Sequence, residues 1–132
     1  MQKFILSAIF MLAASFSFSQ KQADWKEMQD FHAVMSKTFH PSEENNLQPL
    51  KENAENLLKA ARAWRAAEIP AGYNTTLTTA TLKKLVKQCS AIQVAVKKKK
   101  DDMQLKKMIT EAHEIFHEIM EKCRPGADDK HE

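Results

Sequence analysis

The residues of this chain best suited to chemistry are imidazole, thiol and thioether side chains at helical spacing. His113 and His117 stand four residues apart, which places both on one face of an α-helix. His32 falls on the apolar stripe of an earlier helical segment, and Cys89 falls at the centre of another apolar face. Nitrogen and sulfur ligands of these kinds suit copper, zinc or haem iron. The predicted ligands of a copper or zinc site are His32, His113, His117 and Cys89.

Height along the predicted helices decides which of these residues meet. Counted from the end that carries His40, the residues Cys89, His113 and Met28 lie eleven or twelve positions along their helices. At about 1.5 Å per residue, they fall within one helical turn of each other in height. His32 lies eight positions along, so a metal site built from His32, His113 and Cys89 with Met28 nearby is geometrically feasible. The alternative pairs Met28 with His117 across one end of the bundle.

The stretch from His113 to His117 also matches the zinc-protease pattern HExxH, with Glu114 in the place of the glutamate. In those enzymes the glutamate is a general base, and a third ligand lies further along the chain. Here only His131 follows as another histidine, and a small bundle has no sheet-lined cleft. No nucleophile–base arrangement or clustered acid pair stands out either, so we predict a protein that is not an enzyme.

The chain that must position these residues has 132 residues, with two glycines and four prolines. Its length provides one domain. So few glycines argue against a β-rich fold with many tight turns, and they exclude a glycine-rich phosphate loop. The 20 basic residues stand against 17 acidic ones, and the resulting formal charge of +3 is too balanced to indicate nucleic-acid binding.

The first nineteen residues predict a secretory signal peptide. Lys3 precedes an apolar stretch over residues 4–18, and Ser17 and Ser19 are the small residues that a signal peptidase reads. The stretch is shorter than the roughly 20 apolar residues of a membrane span. We expect cleavage before Gln20 and a mature protein that is periplasmic or secreted, with no membrane association. An uncleaved N-terminal anchor is the alternative.

The rest of the chain predicts an all-α fold, an up-down-up-down antiparallel four-helix bundle over residues 20–126 with a flexible tail over 127–132. Apolar residues recur at three- and four-residue spacing, and short connections between such helices favour antiparallel neighbours. Pro41 disfavours helical geometry at His40 and is expected to end the first helix there. The predicted helices are residues 24–40, a segment from Ser42 or Gln48 to about Ile69, one from Asn74 or Thr75 to the lysine run 97–100, and 102–123.

The two cysteines are expected to stay apart. From the same end of the bundle, Cys89 lies eleven residues along its helix and Cys123 lies about 22. That difference corresponds to about 16 Å, whereas a disulfide needs Cα atoms roughly 4.4–6.8 Å apart. We therefore predict no Cys89–Cys123 disulfide, and we expect Cys123 to be a surface thiol near the loop 70–74.

Met28 about one turn into the first helix, and Phe116-His117 near the end of the last, give the chain a family resemblance. It resembles the periplasmic four-helix-bundle cytochromes of the b-562 and c-prime group. The resemblance implies haem held in the bundle, with His117 as an axial ligand and Met28 as the second ligand of b-type members. The attachment motif CxxCH is absent, which excludes covalent haem.

Three interpretations of the function follow from these residues. The first is a non-catalytic, exported binder of copper or zinc. The second is a protein that holds a non-covalent b-type haem and transfers electrons. The third is a structural or protein-interaction bundle without a ligand, in which the histidines are only packed or exposed. A homodimer through an exposed helix face is as compatible with the sequence as a monomer.

Overall fold

The structure, a computed structural model, describes residues 25–124. The signal segment 1–19 and the tail 127–132 predicted from the sequence lie outside the described residues. A π-helical turn, Ile119–Cys123, continues the last of four α-helices. The helices are α1 (Lys26–Glu43), α2 (Gln48–Ala66), α3 (Thr75–Lys97) and α4 (Asp102–Glu118).

The four helices form a closed ring of neighbours. Each helix packs against the helix before it and the helix after it, and α4 also packs against α1. Within residues 25–124 the backbones of α1 and α3, and those of α2 and α4, do not come close to each other, because these helices lie diagonally across the bundle. Connections of four residues, 44–47 and 98–101, reverse the chain after α1 and after α3. The predicted all-α, up-down-up-down antiparallel four-helix bundle is confirmed.

The core forms because apolar residues recur every three or four positions on each helix and meet in one interior. The core positions predicted for α2 are all buried, namely Leu50, Ala54, Leu57, Ala61 and Trp64. Most of the polar residues between them face solvent. No helix of residues 25–124 is both long enough and apolar enough to cross a membrane.

The helices α3 and α4 begin at side chains that cap their free backbone N–H groups. The Asn74 side chain accepts a hydrogen bond from Leu77 N at 3.0 Å, and the Asp101 carboxylate accepts one from Gln104 N at 2.8 Å. Such caps stabilise a helix by about 1 kcal/mol each. Asn74 was one of the two predicted start positions of α3, and α3 ends where the lysine run 97–100 begins, as predicted.

The predicted end of the first helix at His40 is wrong, because α1 continues through Pro41 to Glu43. A proline removes one helical hydrogen bond and crowds the carbonyl four residues earlier. Pro41 stands in the last turn, and its cost is confined to the carbonyl of Lys37, which loses one helical hydrogen bond. The chain leaves the helix at Asn45, whose φ of 63° is left-handed, and Asn46 N donates to Pro41 O at 2.9 Å. This pattern is a Schellman motif, which satisfies the last carbonyls of the helix.

Aromatic side chains fill the end of the bundle where α1 begins. Trp64 lies at their centre, with its ring 5.5 Å from both Trp25 and Phe31 and 5.9 Å from Phe116. Tyr73, on the loop between α2 and α3, covers this cluster at 5.1 Å from Trp25. The interior at this end is therefore occupied by packed rings.

Cys123 is buried, so its predicted position at the surface is wrong. It stands four residues after the buried Ile119 and continues the inward stripe of α4. The loop before α3 also covers it, since Asn74 N donates to Cys123 O at 3.0 Å, which confirms the predicted closeness to that loop. Cys89 and Cys123 are both free thiols, as expected from their heights.

Candidate metal centre

An open groove of about 510 Å³ runs between α1 and the C-terminal half of α4. Three of the four histidines and two of the five methionines of residues 25–124 line it. We call it the α1–α4 groove, and its potential ligands are Met28, His32, His113, His117 and Met120. The structure thus brings together four of the five residues that the sequence suggested for a metal or haem.

His113 and His117 are the closest pair of potential ligands in the groove. Their Nε2 atoms lie 3.2 Å apart, and their rings meet edge to face with centroids 4.5 Å apart. One turn of α4 separates the two residues, which explains their contact. Two neutral imidazoles at this distance share one hydrogen bond, in which one ring donates N–H and the other accepts.

Two neighbouring side chains hold these imidazoles in place. The Phe39 ring stacks on His113, with centroids 3.8 Å apart and planes 10° apart. The Glu121 carboxylate lies 3.5 Å from His117 Nδ1. A carboxylate at one ring nitrogen leaves the other nitrogen to bind a metal, an arrangement found at most metal-bound histidines. Sequence reasoning missed both neighbours, although the four-residue spacing of His117 and Glu121 was a signal for the second.

His32 lies at the rim of the groove, and its expected position on the buried stripe of α1 is wrong. It is exposed, while the preceding residue Phe31 is the one that faces the core. Its ring stacks flat on Phe116 with centroids 5.3 Å apart, and its Nε2 lies 3.3 Å from Ser36 Oγ. The three histidines therefore line a groove open to solvent and not an enclosed interior pocket.

Cys89 does not line the groove. It is buried on α3, whose backbone does not come close to that of α1 in the described part of the chain. Burial raises the pKa of the Cys89 thiol to about 12, so the thiol keeps its proton at neutral pH, whereas metals bind the thiolate. Among residues 25–124 no three His, Cys, Asp or Glu side chains form a group that could hold a metal ion.

Glu114 also lies away from the two histidines that flank it in sequence. It is exposed and borders a different surface depression, with Thr110 and Lys107. In the zinc proteases that carry HExxH, the glutamate acts as general base at the metal. The glutamate of this chain is therefore not positioned for that role.

A b-type haem between Met28 and His117 would compete with aromatic rings for space in the bundle interior. Both side chains line the groove, as the family resemblance implies. A porphyrin held inside the bundle between them would occupy its interior. There Phe31, Trp64 and Phe116 pack against each other with ring centroids 5.5–5.9 Å apart.

The pKa of His113 is expected to be low in solution. Burial, followed by the neighbouring His117, lowers this pKa from its ordinary value of 6.5. The unfolded chain therefore takes up the proton first as the pH falls. The stability that depends on neutral His113 is fully present above pH 6.5 and is lost as the pH falls from there through the lower pKa of the folded state.

A nuclear magnetic resonance titration of the His113 ring tests this expectation, with a midpoint below 6.5 as the expected result. Unfolding free energies at about pH 7.5 and about pH 5.5 supply the second readout, because His113→Gln should reduce the loss between them. A midpoint at or above the ordinary value would contradict the expectation.

Comparison of the chain with protein-family models, with curated proteins and with solved structures gives no match. The function of the α1–α4 groove therefore has to be inferred from its own side chains.

Proposed function

We propose that the protein is an exported, non-catalytic binder of a transition metal, copper or zinc, at the α1–α4 groove. The observation that carries the proposal is the 3.2 Å separation of His113 Nε2 and His117 Nε2. Two nitrogens bound to one ion at about 2.0–2.1 Å, in a near-tetrahedral arrangement, lie about 3.3 Å apart. The pair thus has the spacing of two ligands of one ion.

The protonation of the pair supports the same function. A metal binds neutral imidazole, so each ligand must be free of its proton at the binding nitrogen. The low pKa of His113 keeps this ring neutral at pH 7. Glu121 beside His117 Nδ1 favours a tautomer whose Nε2 is free to bind. The single N–H between the two rings is given up when an ion replaces it.

His32 is the histidine that α1 contributes to the groove. It lines the same groove and is near enough to affect the pKa of His113 electrostatically. The proposed ion is held by the pair on α4, because no three His, Cys, Asp or Glu side chains of residues 25–124 form a group that could hold it. The separate position of Glu114 supports binding without proteolysis, because no general base of the HExxH type stands beside the pair.

Equilibrium dialysis of the metal-free protein against Zn²⁺ and Cu²⁺ tests the proposal. We expect one ion per chain, and a dissociation constant at least about 100-fold larger in the double variant His113→Gln, His117→Gln, because it lacks both ligand nitrogens. His40→Gln is the matched control. His40 is an exposed histidine of α1 that lies 3.6 Å from Glu43 and does not line the groove.

Three results would contradict the proposal. Equal metal affinity of the double variant and the wild type would show that the ion binds to another part of the chain. An intense haem absorption band in the purified protein would favour the b-type haem alternative. Absence of metal binding, together with unchanged melting of the double variant, would leave a structural or protein-interaction bundle.

A further inference from the structure

Two thioether sulfurs line the same groove as the imidazoles. Met28 enters the groove from α1, and Met120 enters it from the π-helical turn that follows α4. Met28 is only 5% exposed, and Met120 is partly buried against the core. Methionine commonly fills irregular gaps in a core. These two differ from an ordinary filler because they also border a solvent-open groove next to two imidazoles.

The π-helical turn sets the direction in which the Met120 side chain leaves the helix. A π-helix pairs each N–H with the carbonyl five residues earlier, so the side chains of Ile119–Cys123 are rotated relative to a continued α-helix. Single π-helical turns within α-helices are frequent at functional sites. Here the turn coincides with the stretch of chain that borders the histidine pair.

The ligand set of the groove is soft and incomplete for zinc. Zn²⁺ in structural sites takes four nitrogen, oxygen or thiolate ligands. Residues 25–124 offer no group of three such side chains. Thioether sulfur is a ligand for Cu(I) rather than for zinc, and imidazole also suits copper. The groove therefore satisfies Cu(I) better than it satisfies a divalent ion.

The charged side chains of the groove also favour a monovalent ion over a divalent one. Glu121 and Arg124 both line it, and their opposite charges offset each other. A dication placed there would have little surplus negative charge to compensate its loss of hydration. A monovalent ion loses less hydration free energy than a dication when it leaves water.

We propose that the α1–α4 groove binds copper as Cu(I), with the Nε2 atoms of His113 and His117 and the sulfurs of Met28 and Met120 as ligands. This inference rests on the proposed metal-binding function, because the same histidine pair serves both. The groove only binds the ion, so no electron transfer accompanies binding.

Competition for Cu(I) against the chromophoric chelator bicinchoninate, without oxygen, tests the inference. The double variant Met28→Leu, Met120→Leu is expected to bind Cu(I) at least about 100-fold more weakly, since two soft ligands are lost. Its affinity for Cu²⁺ or Zn²⁺ should change little, because the histidine pair is intact. Met103→Leu is the matched control, since Met103 is 82% exposed and lies outside the groove.

The double variant is expected to fold, because leucine for methionine conserves volume and costs under about 1.5 kcal/mol. Circular dichroism checks this, and Met120→Leu alone serves as a second variant because Met120 is only partly buried. The X-ray absorption spectrum of the Cu(I)-loaded wild type should show sulfur neighbours, and the spectrum of the double variant should lack them.

The outcomes separate the inference from the function on which it rests. Metal binding by the wild type with the same Cu(I) affinity in both methionine variants would overturn the Cu(I) site and leave the histidine site intact. A wild type that binds neither Zn²⁺, Cu²⁺ nor Cu(I) would overturn both.

Discussion

Replacing Trp64 with alanine is expected to lower the free energy of unfolding by about 4 kcal/mol. Trp64 is fully buried, and its ring contacts those of Trp25, Phe31 and Phe116. The substitution removes this contact area and leaves a cavity that the surrounding helices cannot fully close. Urea unfolding followed by circular dichroism measures the loss, which is a large share of the roughly 5–15 kcal/mol typical of a domain.

Trp64→Phe is the matched control for this substitution. Within the described residues the indole Nε1 of Trp64 has no hydrogen-bond partner, so phenylalanine gives up no polar contact. It keeps an aromatic ring in the cluster, and we expect it to cost less than half as much as alanine. A Trp64→Ala variant destabilised by less than about 1 kcal/mol would mean that the cluster is loosely packed.

A bound ion is expected to raise the melting temperature by about 10–20 °C. An ion that binds only the folded chain adds about 2.7 kcal/mol at a free concentration of about 100 times its dissociation constant. Each kcal/mol raises the midpoint of a domain of about 100 residues by roughly 4–8 °C. Thermal melts with and without the ion, followed by circular dichroism, measure the shift.

The variant His113→Gln, His117→Gln should show almost no such shift, because its groove has lost both imidazoles. Mg²⁺ is the control ion, since it prefers oxygen ligands and should leave the melting temperature of the wild type unchanged. An equal shift in the wild type and the double variant would show that the stabilising ion binds elsewhere.

The fold could be predicted because its determinants are local and repeated. The buried residues of α2 and α4 follow the three- and four-residue spacing along the whole of each helix. Pro41 shows where a local rule fails. Pro41 costs the helix one main-chain hydrogen bond without ending it, and the left-handed Asn45 ends the helix instead.

The candidate site could be predicted in part, for a geometric reason. The contact of His113 with His117 follows from spacing within one helix, and the structure has it. The position of Cys89 needed more than height along the bundle. Cys89 matches His113 in height, but it lies on α3, diagonal to α1, and spacing along the chain carries no information about the order of helices around the ring.

The exposure of His32 depends on a difference of one position. Neighbouring residues of a helix point about 100° apart, so a residue next to the buried Phe31 lies at the edge of the apolar stripe. Only the packing of α4 beside that edge decides that His32 stacks on Phe116. The sequence pattern cannot distinguish an edge position that meets another helix from one that faces water.

The two buried thiols, Cys89 and Cys123, allow transient opening of the protein to be measured by chemical labelling. An alkylating reagent reaches a buried thiol only while the surrounding structure is transiently open. Cys123 belongs to the π-helical turn that follows α4, so its labelling rate is expected to follow local opening of that turn. Cys89 lies deep within α3 and becomes reactive only when the helices separate. Labelling rates at the two native cysteines thus distinguish local from global opening without any engineered labelling site.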